Sequence, residues 1–318
     1  MDTKNRIFID GSQGTTGLRI HERLADFDGI ELLGLSEEER KDPIARKKML
    51  NSADIAFLCL PDDAAIESVS LVENPNTRII DTSTAHRVSE EFAYGFPELS
   101  QMHKNSIRDA KNTAVPGCHA TGFLALVYPL IEAGFLGSSA KLTCFSLTGY
   151  SGGGKAMIAE YEDEGRSIEY SSPRLYALAQ KHKHLNEMQN IAGLEYAPVF
   201  NPIVCDFYSG MEVVVPIFSQ SLQKKAHPRD LHSAYAEKYS ASDFFEVIEF
   251  GAEDAYMSSN ALSGTDGIQI AVTGNDEAIN LIARFDNLGK GASGAAIQCM
   301  NIMLGLDEKR GLKLQWPK

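Results

Sequence analysis

Short apolar runs alternate with amphipathic stretches along the first third of the chain. The apolar runs at 6–10, 30–35, 55–60, 78–81 and 113–115 predict strands, and the stretches at 18–25, 42–50, 64–71 and 119–128 predict helices. Strands that alternate with helices are typical of a parallel sheet covered by helices. We therefore predict an α/β domain in this part of the chain.

The pattern changes after residue 140, where the predicted strands become longer. They cover 141–148, 199–206, 212–218, 268–273 and 279–285, and a helix is predicted at 295–306. These runs indicate an α+β domain with a mixed or antiparallel sheet. We expect the closing helix to pack back on the first domain, so that residues 1–117 and 287–318 form one domain and 118–286 the other.

A glycine-rich turn separates the first predicted strand from the first predicted helix. Its spacing is GxxGxxG, which matches the dinucleotide-binding fingerprint only in part, but it stands where a Rossmann-type domain carries that fingerprint. Glycines permit the sharp turn and let backbone N–H groups approach a pyrophosphate at the helix N-terminus. The predicted cofactor-binding residues here are Gly11, Gln13, Gly14, Thr15, Thr16 and Gly17.

The second predicted strand ends at Ser36, where a site selective for NAD usually places an acidic residue on the ribose 2′-hydroxyl. Ser36, followed by Arg40 and Lys41, is suited to a 2′-phosphate instead. We therefore predict NADP as the cofactor and NAD as the alternative. The acidic run 37–39 complicates this prediction, unless the run is only a solvated face.

Cys118 follows a Pro-Gly turn and precedes a predicted helix. A thiol in the first turn of a helix lies near the positive end of the helix dipole, which lowers its pKa and favours the nucleophilic thiolate. The same N–H groups are suited to stabilise an oxyanion. Because ligands of open α/β sheets bind at the carboxyl ends of the strands, we expect the thiol and the dinucleotide site at one sheet edge.

The run 176–185 alternates so that, as a strand, it would place His182 and His184 on one face. One of the two is then a candidate acid/base for chemistry at Cys118, and the alternative is a pair of surface histidines in a basic patch. A histidine pair at this spacing is a partial metal site, but the sequence shows no nearby carboxylate or third histidine to complete it. We therefore expect no metal.

Two further regions carry candidate binding residues. Lys155 follows three glycines, a setting suited to a phosphate group, although a flexible loop without a role is the alternative. Arg87 is a second candidate for contact with the substrate. Asn287 and Gly289, in the glycine-rich turn before the closing helix, are expected near the cofactor.

The composition is that of an ordinary globular protein: 318 residues, 43% hydrophobic and 23% charged. The net charge of −13 argues against nucleic acid or an anionic membrane as a partner. No apolar run approaches the roughly 20 residues that span a bilayer, and the N-terminus leads directly into a strand, so we expect no signal peptide. The five scattered cysteines fit a reducing cytoplasm better than a disulfide framework.

Four blocks of the sequence, at 11–17, 115–122, 181–184 and 287–295, resemble the N-acetyl-gamma-glutamyl-phosphate reductases of the shorter type, which act in arginine biosynthesis. The blocks follow the family's order along nearly the whole chain. The longer type usually has an aromatic residue in place of His119, and a Pro-Glu pair soon after the histidines where this chain has Leu185-Asn186-Glu187. These departures fit the shorter type and leave the choice between His182 and His184 open.

The resemblance implies a cytoplasmic, NADP-dependent enzyme, expected as a homodimer or homotetramer. It would reduce an acyl phosphate to a semialdehyde through a Cys118 thioester, with a histidine, His182 by preference, moving the proton. One alternative is another cysteine-dependent enzyme such as aspartate-semialdehyde dehydrogenase. A second is a non-catalytic NADP-binding regulator, which leaves the cysteine and histidine blocks unexplained.

Overall fold

The computed structural model describes residues 4–252 and 256–316, which form two compact units. The first unit runs to Pro116 and takes in Ala292–Leu312, and the second comprises Gly117–Gly291 and the chain from Lys313 onward. The predicted boundary at 287 thus lies a few residues before the observed one. The tail returns to the second unit because the backbone N–H of Lys313 donates to the Asp266 carboxylate and its carbonyl accepts from the Asp266 N–H. Residues 1–3, on which the expectation about a signal peptide depends, lie outside the described residues.

The first unit is built on a parallel sheet of six strands in the order β2-β1-β3-β4-β6-β5. Its strands are β1 (Asn5–Asp10), β2 (Ile30–Leu33), β3 (Ile55–Leu58), β4 (Arg78–Asp81), β5 (Ala93–Tyr94) and β6 (Asn112–Ala114). Its helices are α1 (Thr15–Leu24), α2 (Pro43–Ser52), α3 (Asp62–Ser70), α4 (Gln101–Asp109) and α9 (Gly294–Leu304). The sequence predicts these elements, with ends that differ by a few residues, except for β5 and α4, which it does not predict.

The closing helix α9 belongs to the core of the first unit, as predicted. Its apolar residues Ile297 and Met300 are fully buried in one cluster with Ile7 and Ile80 of the sheet. Because helices cover both faces, β3 is buried along its whole length, which explains why it reads as a continuous apolar run.

The second unit is built on a mixed sheet of seven strands in the order β11-β12-β13-β10-β7-β9-β8. The strands are β7 (Thr143–Gly149), β8 (Arg174–Leu175), β9 (Val199–Cys205), β10 (Met211–Phe218), β11 (Phe245–Val247), β12 (Ile268–Gly274) and β13 (Ala278–Phe285). The helices are α5 (Cys118–Glu132), α6 (Gly154–Glu162), α7 (His184–Ala192) and α8 (Pro228–Tyr239). Pairs β7–β9 and β11–β12 are parallel and the others antiparallel, so the predicted mixed sheet is confirmed.

Helix α5 packs closely on one face of this sheet. A Cβ placed on Gly122 would lie 2.4 Å from the Val213 side chain and 2.9 Å from that of Phe285, so only glycine permits the approach. Helix α8 is held against α5 by the buried hydroxyls of Tyr235 and Tyr239, which donate to backbone carbonyls of α5. The position of Cys118, the first residue of α5, is therefore set by a rigid, buried helix.

The prediction of a strand through 176–184 is wrong. Ala177 and Gln180 have positive φ values of 52° and 54°, which end the extended conformation after the two residues of β8. The Gln180 side chain then bonds to both backbone groups of Phe200, and α7 begins at His184. A turn and a helix start therefore present the two histidines.

No helix among the described residues combines the length and the apolar character that crossing a membrane requires.

Candidate active site

The glycine-rich turn of the first unit joins β1 to α1. A Cβ on Gly11, whose φ is +86°, would lie 2.3 Å from the Cys59 carbonyl oxygen at the end of β3, and one on Gly17 would lie 2.4 Å from the Gly11 carbonyl. Gly14 is the N-cap of α1 and supplies no side-chain cap, so Thr15 and Thr16 begin the helix without one. This turn lies where the strand order changes direction, between β1 and β3. Its shape fits a dinucleotide pyrophosphate.

Ser36 is exposed and is already bonded to an acid. Its hydroxyl and its backbone N–H donate to the Glu39 carboxylate at 2.8 and 3.0 Å, and these bonds lower the pKa of Glu39. One carboxylate of the acidic run 37–39 therefore binds Ser36 itself and is not part of a merely solvated face. Binding of a 2′-phosphate by Ser36 therefore stays a prediction. The Glu39 carboxylate would repel a phosphate bound there.

In the second unit, Cys118 is the first residue of α5 and is half-buried. The N-cap is Gly117, which has no side chain to cap the helix, and its N–H donates to the buried Glu187 carboxylate at 2.8 Å. A Cβ on Gly291 would lie 2.9 Å from the Cys118 Cβ. Cys118, the candidate nucleophile, thus begins a helix, follows a residue whose N–H is bonded to Glu187 of α7, and packs closely against Gly291.

A third histidine joins the two that the sequence analysis selects. His119 is buried on α5, and its ring centroid lies 5.5 Å from that of His182 and 5.3 Å from that of His184, which are 4.7 Å from each other. Phe200 of β9 packs against His119 and His182 at 5.1 and 5.2 Å. The expectation that no third histidine completes the set is wrong. His119 is distant from the pair in sequence, so only the folded structure brings it next to them.

Both ring nitrogens of His119 are bonded to hydroxyl groups. Nδ1 lies 2.7 Å from Oγ of Ser146 on β7, and Nε2 lies 2.8 Å from the hydroxyl of Tyr176. Burial, together with the nearby charge of His182, lowers the pKa of His119 to about 3, so the ring is neutral at physiological pH. Sequence reasoning missed both Tyr176 and His119, although His119 directly follows the cysteine.

The hydrogen bond between the other two histidines indicates which nitrogen of His182 carries the proton. The backbone N–H of His184 donates to Nδ1 of His182 at 3.2 Å, so the neutral ring of His182 carries its proton on Nε2. His182 is half-buried, whereas His184 is 6% exposed. Of the two, His182 is therefore the one suited to donate a hydrogen bond from Nε2 to a bound substrate.

The histidine cluster also offers nitrogens to a metal ion. Its ligand atoms all lie within 4.8 Å of one another, and neutral imidazoles are good ligands for zinc. Binding would break at least one of the His119 hydroxyl bonds, since both of its nitrogens are in use. The expected absence of a metal stays a prediction.

The glycine-rich loop before α6 is tied to the turn that contacts Cys118. The Asn287 amide accepts from the Gly210 N–H and donates to Ser151 within this loop. Lys155 is exposed in the first turn of α6, after Gly154 with a φ of +72°. Lys155, at the start of the helix that follows this loop, is thus a candidate cation for a phosphate near Cys118.

Three other predicted binding residues have structural contacts. The Arg87 guanidinium is buried and donates to the carbonyls of Val115 and Thr82. A Cβ on Gly289 would lie 1.9 Å from the Thr265 carbonyl, so this glycine is required by packing. The Asn287 side chain is 2% exposed and its contacts lie in the second unit. Their roles toward substrate or cofactor stay predictions.

Known proteins resemble the chain along nearly its whole length. Residues 6–107 match the model of the semialdehyde dehydrogenase NAD binding domain, and residues 118–287 match that of the semialdehyde dehydrogenase dimerisation domain. The N-acetyl-gamma-glutamyl-phosphate reductase 2 of a Nostoc species is 44% identical over 97% of this chain and 99% of its own. The N-acetyl-gamma-glutamyl-phosphate reductase of Sinorhizobium medicae is 46% identical over 95% of this chain and 99% of its own.

A solved structure shares the fold at low sequence identity. The aspartate semialdehyde dehydrogenase of Francisella tularensis aligns with a TM-score of 0.71 at 15% identity, over 94% of this chain and all of its own. The predicted two-domain α/β class is confirmed, and so is the resemblance on which the sequence analysis relies.

Proposed function

The chain belongs to the N-acetyl-gamma-glutamyl-phosphate reductase family of semialdehyde dehydrogenases, and we propose that it reduces N-acetyl-L-glutamyl 5-phosphate to N-acetyl-L-glutamate 5-semialdehyde with release of phosphate. The observation that carries the proposal is the placement of Cys118 at the start of α5, next to the cluster of three imidazoles. A nucleophile beside a candidate proton donor is the arrangement that acyl transfer requires.

In the proposed first step, the Cys118 thiolate attacks the acyl carbon, and the bond from that carbon to the phosphate oxygen breaks. Phosphate leaves with the electron pair, and a thioester to Cys118 remains. The first-turn position favours the thiolate because the unpaired N–H groups at a helix start carry partial positive charge. Lys155 and the glycine-rich loop are the proposed partners of the phosphate group.

In the second step, bound NADPH would supply a hydride to the thioester carbon, and the chain's own residues stabilise the oxyanion that forms. The Nε2–H of His182 donates a hydrogen bond to this developing oxyanion. The carbon–sulfur bond then breaks, which releases the aldehyde and regenerates the Cys118 thiolate without net proton transfer. The backbone bond to Nδ1 supports this role, because it fixes the ring with Nε2 as the donor.

The residues of the first unit fit the cofactor. The close approach of Gly11 to the end of β3, and the uncapped start of α1 after Gly14, support pyrophosphate binding at this turn. We propose Gln13, Thr15, Thr16 and Gly17 as further contacts, with Ser36 at the ribose of NADP.

Trapping the thioester tests the function directly. When the protein is incubated with the acyl phosphate and no NADPH, we expect one equivalent of phosphate per site and a mass increase on the peptide that contains Cys118. The Cys118→Ser variant should give neither signal. The matched control is Cys205→Ala, which removes a buried thiol whose pKa is raised by burial and should leave both signals intact. A burst that persists in Cys118→Ser would contradict the mechanism.

The alternative substrate is aspartyl phosphate, because the shared fold alone does not distinguish the two reductases. Comparing kcat/KM for the two acyl phosphates separates them. A higher value for aspartyl phosphate would overturn the proposed substrate.

A second copy of the chain is the proposed partner, in a dimer or a tetramer. One face of the second sheet is covered by α5, whereas the other leaves Phe145, Val199 and Phe218 at least 41% exposed. Strand register places Val214 and Ile282 in line with Phe145 on this open face. The face lies within the region that matches a dimerisation domain, which favours another copy as its occupant. Light scattering of Phe145→Glu, expected to show smaller particles than the parent, tests this assignment.

We propose the cytoplasm as the location of the enzyme, because all five cysteines are free thiols, as a reducing compartment maintains them.

A further inference from the structure

We propose that Nε2 of His86 accepts a hydrogen bond from the nicotinamide riboside half of NADPH, and that the buried Asp81 carboxylate orients the ring for this contact. The role deepens the proposed function, since it rests on NADPH as the cofactor of the first unit. It concerns an Asp–His pair that neither the reaction scheme nor the pyrophosphate turn uses.

Asp81 and His86 are paired at the carboxyl end of β4. Asp81 is the last residue of this strand and is fully buried, and its Oδ2 lies 2.6 Å from Nδ1 of His86. The same carboxylate accepts from the Ser83 hydroxyl at 2.7 Å and from the Ser83 N–H at 2.9 Å. One face of the His86 ring stacks on Phe92, with 4.2 Å between the ring centroids. The imidazole is thus held at one edge by a hydrogen bond and on one face by an aromatic ring.

Asp81 determines which nitrogen of His86 remains for a ligand. A carboxylate only accepts hydrogen bonds, so Nδ1 of His86 is the donor within the pair. In the neutral ring Nε2 is then an acceptor, and no described residue bonds to it. The side chain of His86 is 13% exposed, so part of the ring reaches the surface. The ribose hydroxyls and the carboxamide NH₂ of a nicotinamide riboside are donors that match this acceptor.

The loops at the carboxyl edge of the first sheet connect this pair to the glycine-rich turn. Thr82 donates from its N–H and from its hydroxyl to the Leu58 carbonyl of β3, at 2.9 and 3.0 Å. The next carbonyl along, that of Cys59, occupies the space that a Cβ on Gly11 would need. The glycine-rich turn and His86 therefore lie along one edge of the same sheet.

The strand order places His86 on the nicotinamide side of this edge. A dinucleotide pyrophosphate binds at the start of the helix after β1, and the adenosine ribose lies at the end of β2. Strand β2 flanks β1 on one side, whereas β3 and β4 lie on the other, so the second nucleoside extends over the ends of β3 and β4. Two strand spacings of about 4.8 Å separate β1 from β4 by roughly 10 Å, a distance that a ribose and a nicotinamide ring bridge.

The test is the affinity of the full chain for three probes, measured by isothermal titration calorimetry without acyl phosphate. NADPH carries the whole nicotinamide riboside, 2′-phospho-ADP-ribose keeps the ribose and lacks the nicotinamide, and 2′,5′-ADP lacks both. The His86→Asn variant keeps an amide donor for Asp81 near the position of Nδ1 and has no atom at the position of Nε2. We expect its Kd for NADPH to rise about 3 to 10-fold, the effect of one lost hydrogen bond, and its Kd for 2′,5′-ADP to equal that of the parent.

Two further variants separate this contact from a disturbance of the fold. His86→Gln places an amide group near the position of Nε2, and its Kd for NADPH should be closer to that of the parent than to that of His86→Asn. The matched control is His103→Asn, which changes another half-buried histidine of the first unit, one whose Nδ1 is bonded to the Ser100 hydroxyl. Its Kd for NADPH should equal that of the parent.

The intermediate probe distinguishes the two donors of the cofactor. Weaker binding of 2′-phospho-ADP-ribose by His86→Asn assigns the contact to the ribose, and unchanged binding assigns it to the carboxamide. An unchanged Kd for NADPH in this variant overturns the role of His86 and leaves the proposed function standing. An equal rise for all three probes overturns it too, because it would show a general disturbance of the first unit. A parent that does not bind NADPH overturns the cofactor of the proposed function itself.

Discussion

The buried, neutral His119 makes the stability of the second unit sensitive to acid. Its pKa is about 3 in the folded protein because of burial and the charge of His182, and about 6.5 in an unfolded chain. A group whose pKa is lower when folded contributes stability that is present above the unfolded value and is lost as the pH falls toward the folded one. The window in which this stability is lost therefore runs from about pH 6.5 down to about 3.

The magnitude follows from proton linkage. Within that window the unfolded chain binds one more proton at this site than the folded one, which costs about 1.4 kcal/mol of unfolding free energy per pH unit. Between about pH 7.5 and 4.5 the site should therefore remove on the order of 3 kcal/mol of the free energy of unfolding. Full burial of the ring justifies using the whole shift.

The assay is urea unfolding across this pH range in the parent and in His119→Gln, which keeps hydrogen-bonding capacity and removes the titration. The chain's single tryptophan, Trp316, packs against Gly267 and so reports on the second unit, where His119 lies. We expect His119→Gln to be less stable at neutral pH and to lose on the order of 3 kcal/mol less of its free energy of unfolding than the parent on acidification. Both proteins contain the same carboxylates, so the contribution of these groups to the free energy of unfolding cancels in the difference.

A control variant, His232→Gln, removes a half-buried histidine of α8 outside the cluster. Its acid loss should stay close to that of the parent. Parallel curves for the parent and His119→Gln would refute the reasoning, because they would show that the buried ring binds a proton as readily in the folded chain as in the unfolded one.

Four further outcomes are expected. His182→Ala should lower kcat by about 10² to 10³-fold, because it removes the Nε2–H donor to the developing oxyanion, and an unchanged kcat would exclude this role. Glu39→Gln should raise the kcat/KM ratio of NADP to NAD by up to about fivefold, because it removes an exposed anion from Ser36; an unchanged or lower ratio would place the 2′-phosphate elsewhere. Gly291→Ala should lower kcat by about 10 to 100-fold, since its Cβ would displace the Cys118 side chain, and retained activity would mean that the helix start adjusts. Dialysis against a chelator should leave turnover unchanged, as the predicted absence of a metal requires; lost activity restored by zinc would reverse that prediction.

Local pattern carries most of the information about the elements of this protein. The strands β1, β3 and β4 of the first unit follow from apolar runs that are buried on both faces, whereas β5 and α4 were not predicted. The glycine turn at 11–17 and the first-turn position of Cys118 also depend on neighbouring residues alone, because turns and helix starts are set by local backbone preferences. The sequence was therefore sufficient to select Cys118 as the candidate nucleophile, a role that stays a prediction.

The segment that carries the histidine pair shows where local pattern fails. Alternation predicts a strand through 176–184, yet Ala177 and Gln180 adopt positive φ, and the side chain of Gln180 is bonded to the backbone of Phe200 on β9. A tertiary contact thus overrides the alternation. His182 and His184 still meet, but through the bond between the His184 N–H and the His182 ring and not through a shared strand face.

Only the tertiary structure adds the remaining members of the site. The sequence determined a helix start with a thiol, a dinucleotide turn and a pair of histidines, because each depends on residues close together in the chain. The ring of His119, the hydroxyls of Ser146 and Tyr176, and the carboxylate of Glu187 converge because α5, α7 and the second sheet pack together. Such convergence links positions up to 70 residues apart, and burial then sets their protonation, which no local pattern encodes.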